Sequence, residues 1–281
     1  EIGSGSASDG DADAVLGIVL LAMAGDYHGQ TEEDWWIDVA DWAYQSSIAM
    51  LEINSSSNDD DTLRVFTLGS CWGGWINDDN CVNPSYFSPG HFRIFRDFLS
   101  SYDDIINDVD GGDREGDQYT EHWNHLLDGT YEILLDNQCE ETGLTTNWFS
   151  IEGSSSTDLT EGGYISCSGS GTSADEFGSE ASRGVWRVAL DYMFYPEESI
   201  QVNGSYGSYE YSKRVVEEVI PKMMQLNLDE SSEDYCAGSS CVDDLTIDSD
   251  CFVGSIHSGW VDNMFMFGPV ASSLIVPSSS E

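Results

Sequence analysis

Residues 180–192 read Glu-Ala-Ser-Arg-Gly-Val-Trp-Arg-Val-Ala-Leu-Asp-Tyr. The stretch opens on an acid suited to the positive end of a helix and keeps apolar residues at helical spacing. It predicts a helix from about Glu180 to Phe194 that stops before Pro196. Working outward, the chain reads as about seven helices separated by polar, glycine-rich loops. Upstream lie helices over about Asp11–Ala24, Glu32–Ile53, Pro89–Leu99 and Gln118–Leu135, and downstream over about Ser208–Leu226 and Val261–Leu274. The first is apolar almost all round and should be buried on most sides. The second places Trp36, Ala40, Ala43, Ile48 and Leu51 on one stripe, and the fourth does so with Trp123, Leu127, Tyr131 and Leu134. Pro221 predicts a bend in the sixth. Leu63–Leu68 and Asn147–Ile151 read as extended, and Ser154–Phe177 as a long Ser/Gly/Asp loop.

The charge is extreme, with 9 Lys+Arg against 52 Asp+Glu giving −43. Such a surface repels phosphate and anionic headgroups, which excludes nucleic acid and membrane surfaces as partners. Val15–Ala24 is ten residues long, too short to span a bilayer, and an acidic segment precedes it, unlike a signal peptide. Aromatic residues make up 12% of the chain, enough for a packed core, so the expectation is one domain over 1–281.

Seven cysteines occur without a zinc-ligand pattern. Cys71/Cys81 and Cys236/Cys241 bracket short loops, which suits local disulfides in a secreted, extracellular setting. Asn54 and Asn203 begin glycosylation triplets. Asp108, Asp110 and Asp113 alternate in a Gly-containing run that only loosely matches a calcium loop. Calcium is therefore a possible ligand, with a solvated acidic loop as the simpler reading, and no other cofactor is expected.

Three segments carry a family resemblance, in order. Ser6-Ala-Ser-Asp-Gly-Asp-Ala-Asp13 precedes the apolar helix, Asn83-Pro-Ser-Tyr-Phe-Ser-Pro89 precedes the third, and the 180–192 stretch is itself the third segment. Together they resemble glycoside hydrolase family 8, with Gly143-Leu-Thr-Thr-Asn-Trp148 as a weaker match to that family's Pro-Asp-Trp. The resemblance implies an all-α fold, an (α/α)₆ toroid-like barrel incomplete at both ends, with long loops and minor β structure. It implies an inverting endo-β-1,4-glycanase, in which one carboxyl protonates the leaving oxygen and another activates water. Glu180 stands where the family has its aspartate base, and Asn147 where it has an aspartate. Asp11 matches a sugar-gripping aspartate, and Tyr86 a cleft tyrosine that positions water and sugar. Asp9, Arg183, Trp148, Trp186 and Trp72 are candidate substrate contacts, the tryptophans by stacking on sugar rings. Arg183 and Arg187 should pair with carboxylates.

The family's acid sits in a Ser-Glu-Gly segment upstream of the aspartate motif, and these 281 residues hold none there. Three readings follow: an enzyme whose acid lies outside this chain, a drifted fold serving as a structural subunit of an extracellular glycoprotein assembly or filament, and a glycan-binding module. The partners expected are a β-linked polysaccharide or attached glycans, and further copies of the chain.

Overall fold

The computed structural model describes residues 7–70, 72–76, 81–110, 116–139, 143–151, 176–202, 205–221, 244–247, 253–257 and 263–276. Helices dominate them. Helix α1 spans Ser8–Tyr27 and α2 spans Asp34–Ile53. A small antiparallel pair follows, β1 (Ser55–Ser57) with β2 (Arg64–Phe66). Strand β3 (Cys81–Val82) leads into a 3₁₀ turn at Pro84–Tyr86 and helix α3 at Pro89–Asp110. Helix α4 (Thr120–Asp136) precedes β4 (Phe149–Ser150) and β5 (Glu176–Phe177). Helix α5 (Ser179–Phe194) comes next, then a short α6 (Pro196–Ile200), with β6 (Gln201–Val202) and β7 (Ser205–Tyr206) as a hairpin. Helix α7 (Ser208–Arg214) continues as a π turn over Val215–Val219. Strands β8 (Asp244–Ile247) and β9 (Val253–His257) join β5 in a three-stranded sheet, and α8 spans Asn263–Ser272.

The core lies where α2, α3, α4 and α5 turn their apolar stripes together. Trp36, Trp123, Phe92, Phe95 and Phe98 are fully buried or nearly so. Trp123 packs against Phe92 and Phe95 with ring centroids 5.9 and 5.6 Å away. Aromatic area of this kind supplies most of the driving force for burial. A buried polar network ties three helices. Arg93 Nε of α3 donates to Asp191 Oδ1 of α5 at 2.9 Å, and the Tyr131 hydroxyl of α4 donates to Asp191 Oδ2 at 2.6 Å. Burial pushes the Asp191 carboxyl up from its ordinary range, and the adjacent Arg93 charge opposes this. Gly90 lets the start of α3 approach α5, since a Cβ there would stand 3.1 Å from the Asp191 backbone.

The structure corrects several expectations. Helix α1 is not buried on most sides, because its neighbours α2 and α3 cover only the line Ser8, Ala12, Val19, Ala22 and Gly25. Leu20, Leu21 and Tyr27 are exposed by 45%, 49% and 85%. Asn54 is no exposed glycan acceptor: it caps α2, is 5% exposed, and its Nδ2 donates to Ser8 Oγ at 2.7 Å. The described helix α7 departs from α geometry at a π turn before Pro221. Helix α3 runs through Asp110, so Asp108 and Asp110 lie in its last turns instead of in a loop. Asp113, Asn203, Cys71, Cys236, Cys241 and most of the 154–177 loop lie outside the described residues. Cys81 and Cys139 each take part in a disulfide. Among the described residues no acid, His or Cys cluster could hold a metal ion, and no helix is long and apolar enough to cross a membrane.

Candidate active site

Four chain segments converge on the first turn of α5, and local structure explains each. Strand β3 pairs with β4 antiparallel, Cys81 opposite Ser150 and Val82 opposite Phe149. Continued one step, that register sets Asn83 across from Trp148. The 3₁₀ turn that follows Asn83 is held by its side chain, whose Oδ1 accepts from the Ser85 amide at 2.9 Å. Gly184 lets this turn reach α5, since a Cβ there would stand 2.8 Å from the Pro84 Cβ and 3.1 Å from its carbonyl oxygen. The start of α1 is fixed by Asn54 and by the Ser8 amide donating to the Leu68 carbonyl at 3.3 Å.

Glu180 is the centre of the group. Its Oε2 accepts from Asn83 Nδ2 at 3.0 Å and from Ser85 Oγ at 2.7 Å, and Arg183 Nη2 donates to the same oxygen. Ser85 Oγ also lies 2.7 Å from Asn83 Oδ1, and its single proton serves one of the two acceptors at a time. With Oε2 so occupied, Oε1 is the oxygen without a hydrogen bond among the described residues. Arg183 is shared, because its Nη1 reaches Asp9 Oδ2 of α1 at 3.5 Å. One turn along, Arg187 grips both oxygens of Asp13, so α1 and α5 are linked by two rungs, 9 to 183 and 13 to 187. Rungs four residues apart stack because side chains at i and i+4 share a helix face.

Tyr86 belongs to the group. Burial, then the negative charges of Asp9 and Glu180, push its phenol up to about 12, with Arg183 opposing. It is therefore a neutral hydroxyl near neutral pH. His91 of α3 lies beneath the second rung, its Nδ1 3.5 Å from Asp13 Oδ1. Burial and the Arg187 charge depress it to about 4, against the pull of Asp13. Trp148 stacks on Trp72 with centroids 6.4 Å apart and planes at 23°, and Trp72 is 39% exposed.

Of the residues singled out in the sequence, Glu180 and Asp9 are joined through Arg183, Tyr86 feels the charges of all three, and Trp148 and Trp72 form an aromatic pair beside the same turn. Asp11 does not join them. Two residues on from Asp9 in a helix is a rotation of about 200°, and the Asp11 side chain makes no hydrogen bond or ion pair among the described residues. The i+4 partner, Asp13, takes the second place on that face. Trp186 stands about 120° round α5 from Glu180, with the Arg187 guanidinium over its ring at 4.9 Å.

Sequence reading passed over Asn83 and Ser85, although both sit in the quoted Asn-Pro-Ser-Tyr run, and assigned no task to Asn147. Asn147 Oδ1 accepts from the amides of Gly178, Glu180 and Ala181 at 3.0, 3.2 and 3.1 Å. Partners 97, 95 and 33 residues from Glu180 leave no local spacing signal.

A carboxylate held on one oxygen, with no hydrogen bond to the other among the described residues, beside a neutral phenol and a second acid, can take a proton from a positioned water. The stacked tryptophans offer flat apolar faces of the kind that sugar rings cover.

No protein-family model matches the chain. In sequence it is 26% identical over 199 residues to Endoglucanase C of Ruminiclostridium cellulolyticum, covering 68% of this chain and 31% of that protein. It is 26% identical over 195 residues to Endoglucanase 2 of Ruminiclostridium josui, with the same shares. The fold is similar to a beta-1,3-1,4-glucanase from Paenibacillus sp.X4 (TM-score 0.57, 17% identity, 99% of this chain and 58% of that one). It is likewise similar to Rex8A from Paenibacillus barcinonensis complexed with xylose (TM-score 0.59, 12% identity, 99% and 58%). The chain thus spans about a third of the length of those curated relatives and little more than half of those solved chains.

Proposed function

We propose, from the premise that the chain is glycoside-hydrolase-family-8-like in sequence and helical-barrel fold, that its cluster at the start of α5 is the base side of a β-glycan-cleaving site. The observation that carries this reading is the clamp on Glu180: three donors fix one carboxylate oxygen and leave the other to act on water. An inverting hydrolase needs such a base and a second carboxyl about 6.5–9.5 Å away. In this reading Asp9 and Tyr86 orient sugar and water, and Arg183 balances the two acids. The substrate is a β-1,4-linked polysaccharide met outside the cell, where the disulfides at Cys81 and Cys139 are stable.

The test is reducing-sugar release from soluble β-glucans by the wild-type chain and by Glu180→Gln. A fall of about 10³-fold or more with little change in KM is expected for loss of a general base. Equal rates would remove Glu180 from the mechanism.

A second reading, glycan binding without hydrolysis, is favoured by the Trp72–Trp148 pair, which needs no acid to hold a sugar. It is separated by affinity electrophoresis in β-glucan gels. Retardation that survives Glu180→Gln and disappears in Trp72→Ala, with no sugar release by the wild type, would support binding alone. A third, structural reading draws on the exposed apolar face of α1, since contiguous apolar surface commonly marks an interface.

A further inference from the structure

Helix α5 begins without a side-chain cap of its own, because the residue at its N-cap is Gly178. Its first amides therefore need an acceptor from elsewhere. Asn147, 7% exposed and thirty-three residues upstream of Glu180, supplies it by taking the Gly178, Glu180 and Ala181 amides on one oxygen. Glu180 is thus fixed at both ends: its backbone amide by Asn147, and its carboxylate by Asn83, Ser85 and Arg183. The residue after Asn147 is Trp148, whose ring stacks on Trp72 and whose carbonyl accepts from Thr146 Oγ1 at 2.8 Å.

We propose that Asn147 is a positioning residue for Glu180: a neutral helix cap, borrowed from the loop that carries Trp148, which holds the carboxylate in place without adding charge beside it. The proposal deepens the hydrolytic reading and rests on Glu180 being its base. The neutrality has a physical reason. Aspartate and asparagine cap helices about equally well, so a carboxylate would satisfy the same three amides. It would also add a negative charge near a group whose charged or titratable neighbours among the described residues include Asp9 of α1, Arg183 on its own helix and the neutral Tyr86 phenol of the 3₁₀ turn. A further like charge favours the protonated form of Glu180, which cannot serve as a base.

The experiment uses the full chain labelled with carboxyl-¹³C glutamate, with Glu180→Gln to assign the Glu180 resonance. In Asn147→Asp the Glu180 titration midpoint should rise above that of the wild type, while the melting temperature stays near the wild-type value. The acid limb of the rate profile should move in the same direction. Asn147→Ala, which strands three amides, should lower kcat about tenfold or more with KM within about twofold. An unmoved Glu180 midpoint in Asn147→Asp would overturn the proposal and leave Asn147 a plain structural cap. A wild-type chain that releases no sugar would sink the hydrolytic reading alone, and the titration would still decide whether Asn147 governs Glu180.

Discussion

At the scale of single residues, the site is a balance of few cations among many acids. Only nine Lys+Arg exist in the chain, and two of them, Arg183 and Arg187, stand on one face of α5 against Asp9, Glu180 and Asp13. His91 beneath them is the titrating group whose shift has a sharp consequence. It is depressed to about 4 in the folded protein, whereas an exposed histidine titrates near 6.5. Between those values the unfolded chain binds the extra proton and the folded chain does not. Stability at this site is therefore full above about pH 6.5 and falls as pH drops towards 4. We expect the His91 ring protons to titrate near pH 4 by NMR. His91→Phe should flatten the decline of melting temperature over that window, and an unchanged decline would contradict the assignment.

At the scale of elements, close approaches that only glycine permits set the site. Gly184 allows the Pro84–Tyr86 turn to lie on α5, and the donors on Glu180 depend on that approach. Gly184→Ala should cost about 1–3 kcal/mol from overpacking and reduce turnover more than Gly17→Ala, which meets nothing within 4 Å. Thermal unfolding and initial rates on the two variants check this. The Arg93–Asp191–Tyr131 network acts between elements too. Arg93→Met leaves Asp191 buried, 0% exposed, without its cation, and removing one partner of a buried pair costs about 3–5 kcal/mol. Denaturant unfolding of Arg93→Met should show a loss of that order. A much smaller one would mean that Asp191 takes up a proton at little cost.

At the scale of the whole molecule, a net charge of −43 makes self-repulsion a standing penalty on the compact state. Added salt screens it, with a Debye length falling from about 30 Å at 0.01 M to about 3 Å at 1 M. The melting temperature should therefore rise steadily with sodium chloride over that range. A flat response would mean that the acids are neutralised locally by bound cations instead. The same repulsion works against self-association through α1, whose Leu20, Leu21 and Tyr27 stand exposed. Contact between copies through that face should accordingly be favoured by high ionic strength, as sedimentation would show.

Much of the molecule could be read in the chain, and the reasons for the rest are specific. Helix positions followed from apolar spacing, as with Trp123, Leu127, Tyr131 and Leu134 along α4, because a 3.6-residue period is a local property. The motifs marked Glu180 and Tyr86, and their residue types were enough to name a carboxylate chemistry. What the chain alone left open was set by contacts between distant segments. Which aspartates of α1 pair with α5 depends on the rotation of α1, fixed by the Asn54–Ser8 bond forty-six residues apart, and so Asp9 meets Arg183 and Asp13 meets Arg187, while Asp11 makes no such pair among the described residues. The burial of α1 depends on which helices stand beside it, which no periodicity within α1 encodes. Asn147 became a cap only because the fold carried it to the open end of α5: backbone amides carry no sequence label, and their partners are chosen by tertiary approach.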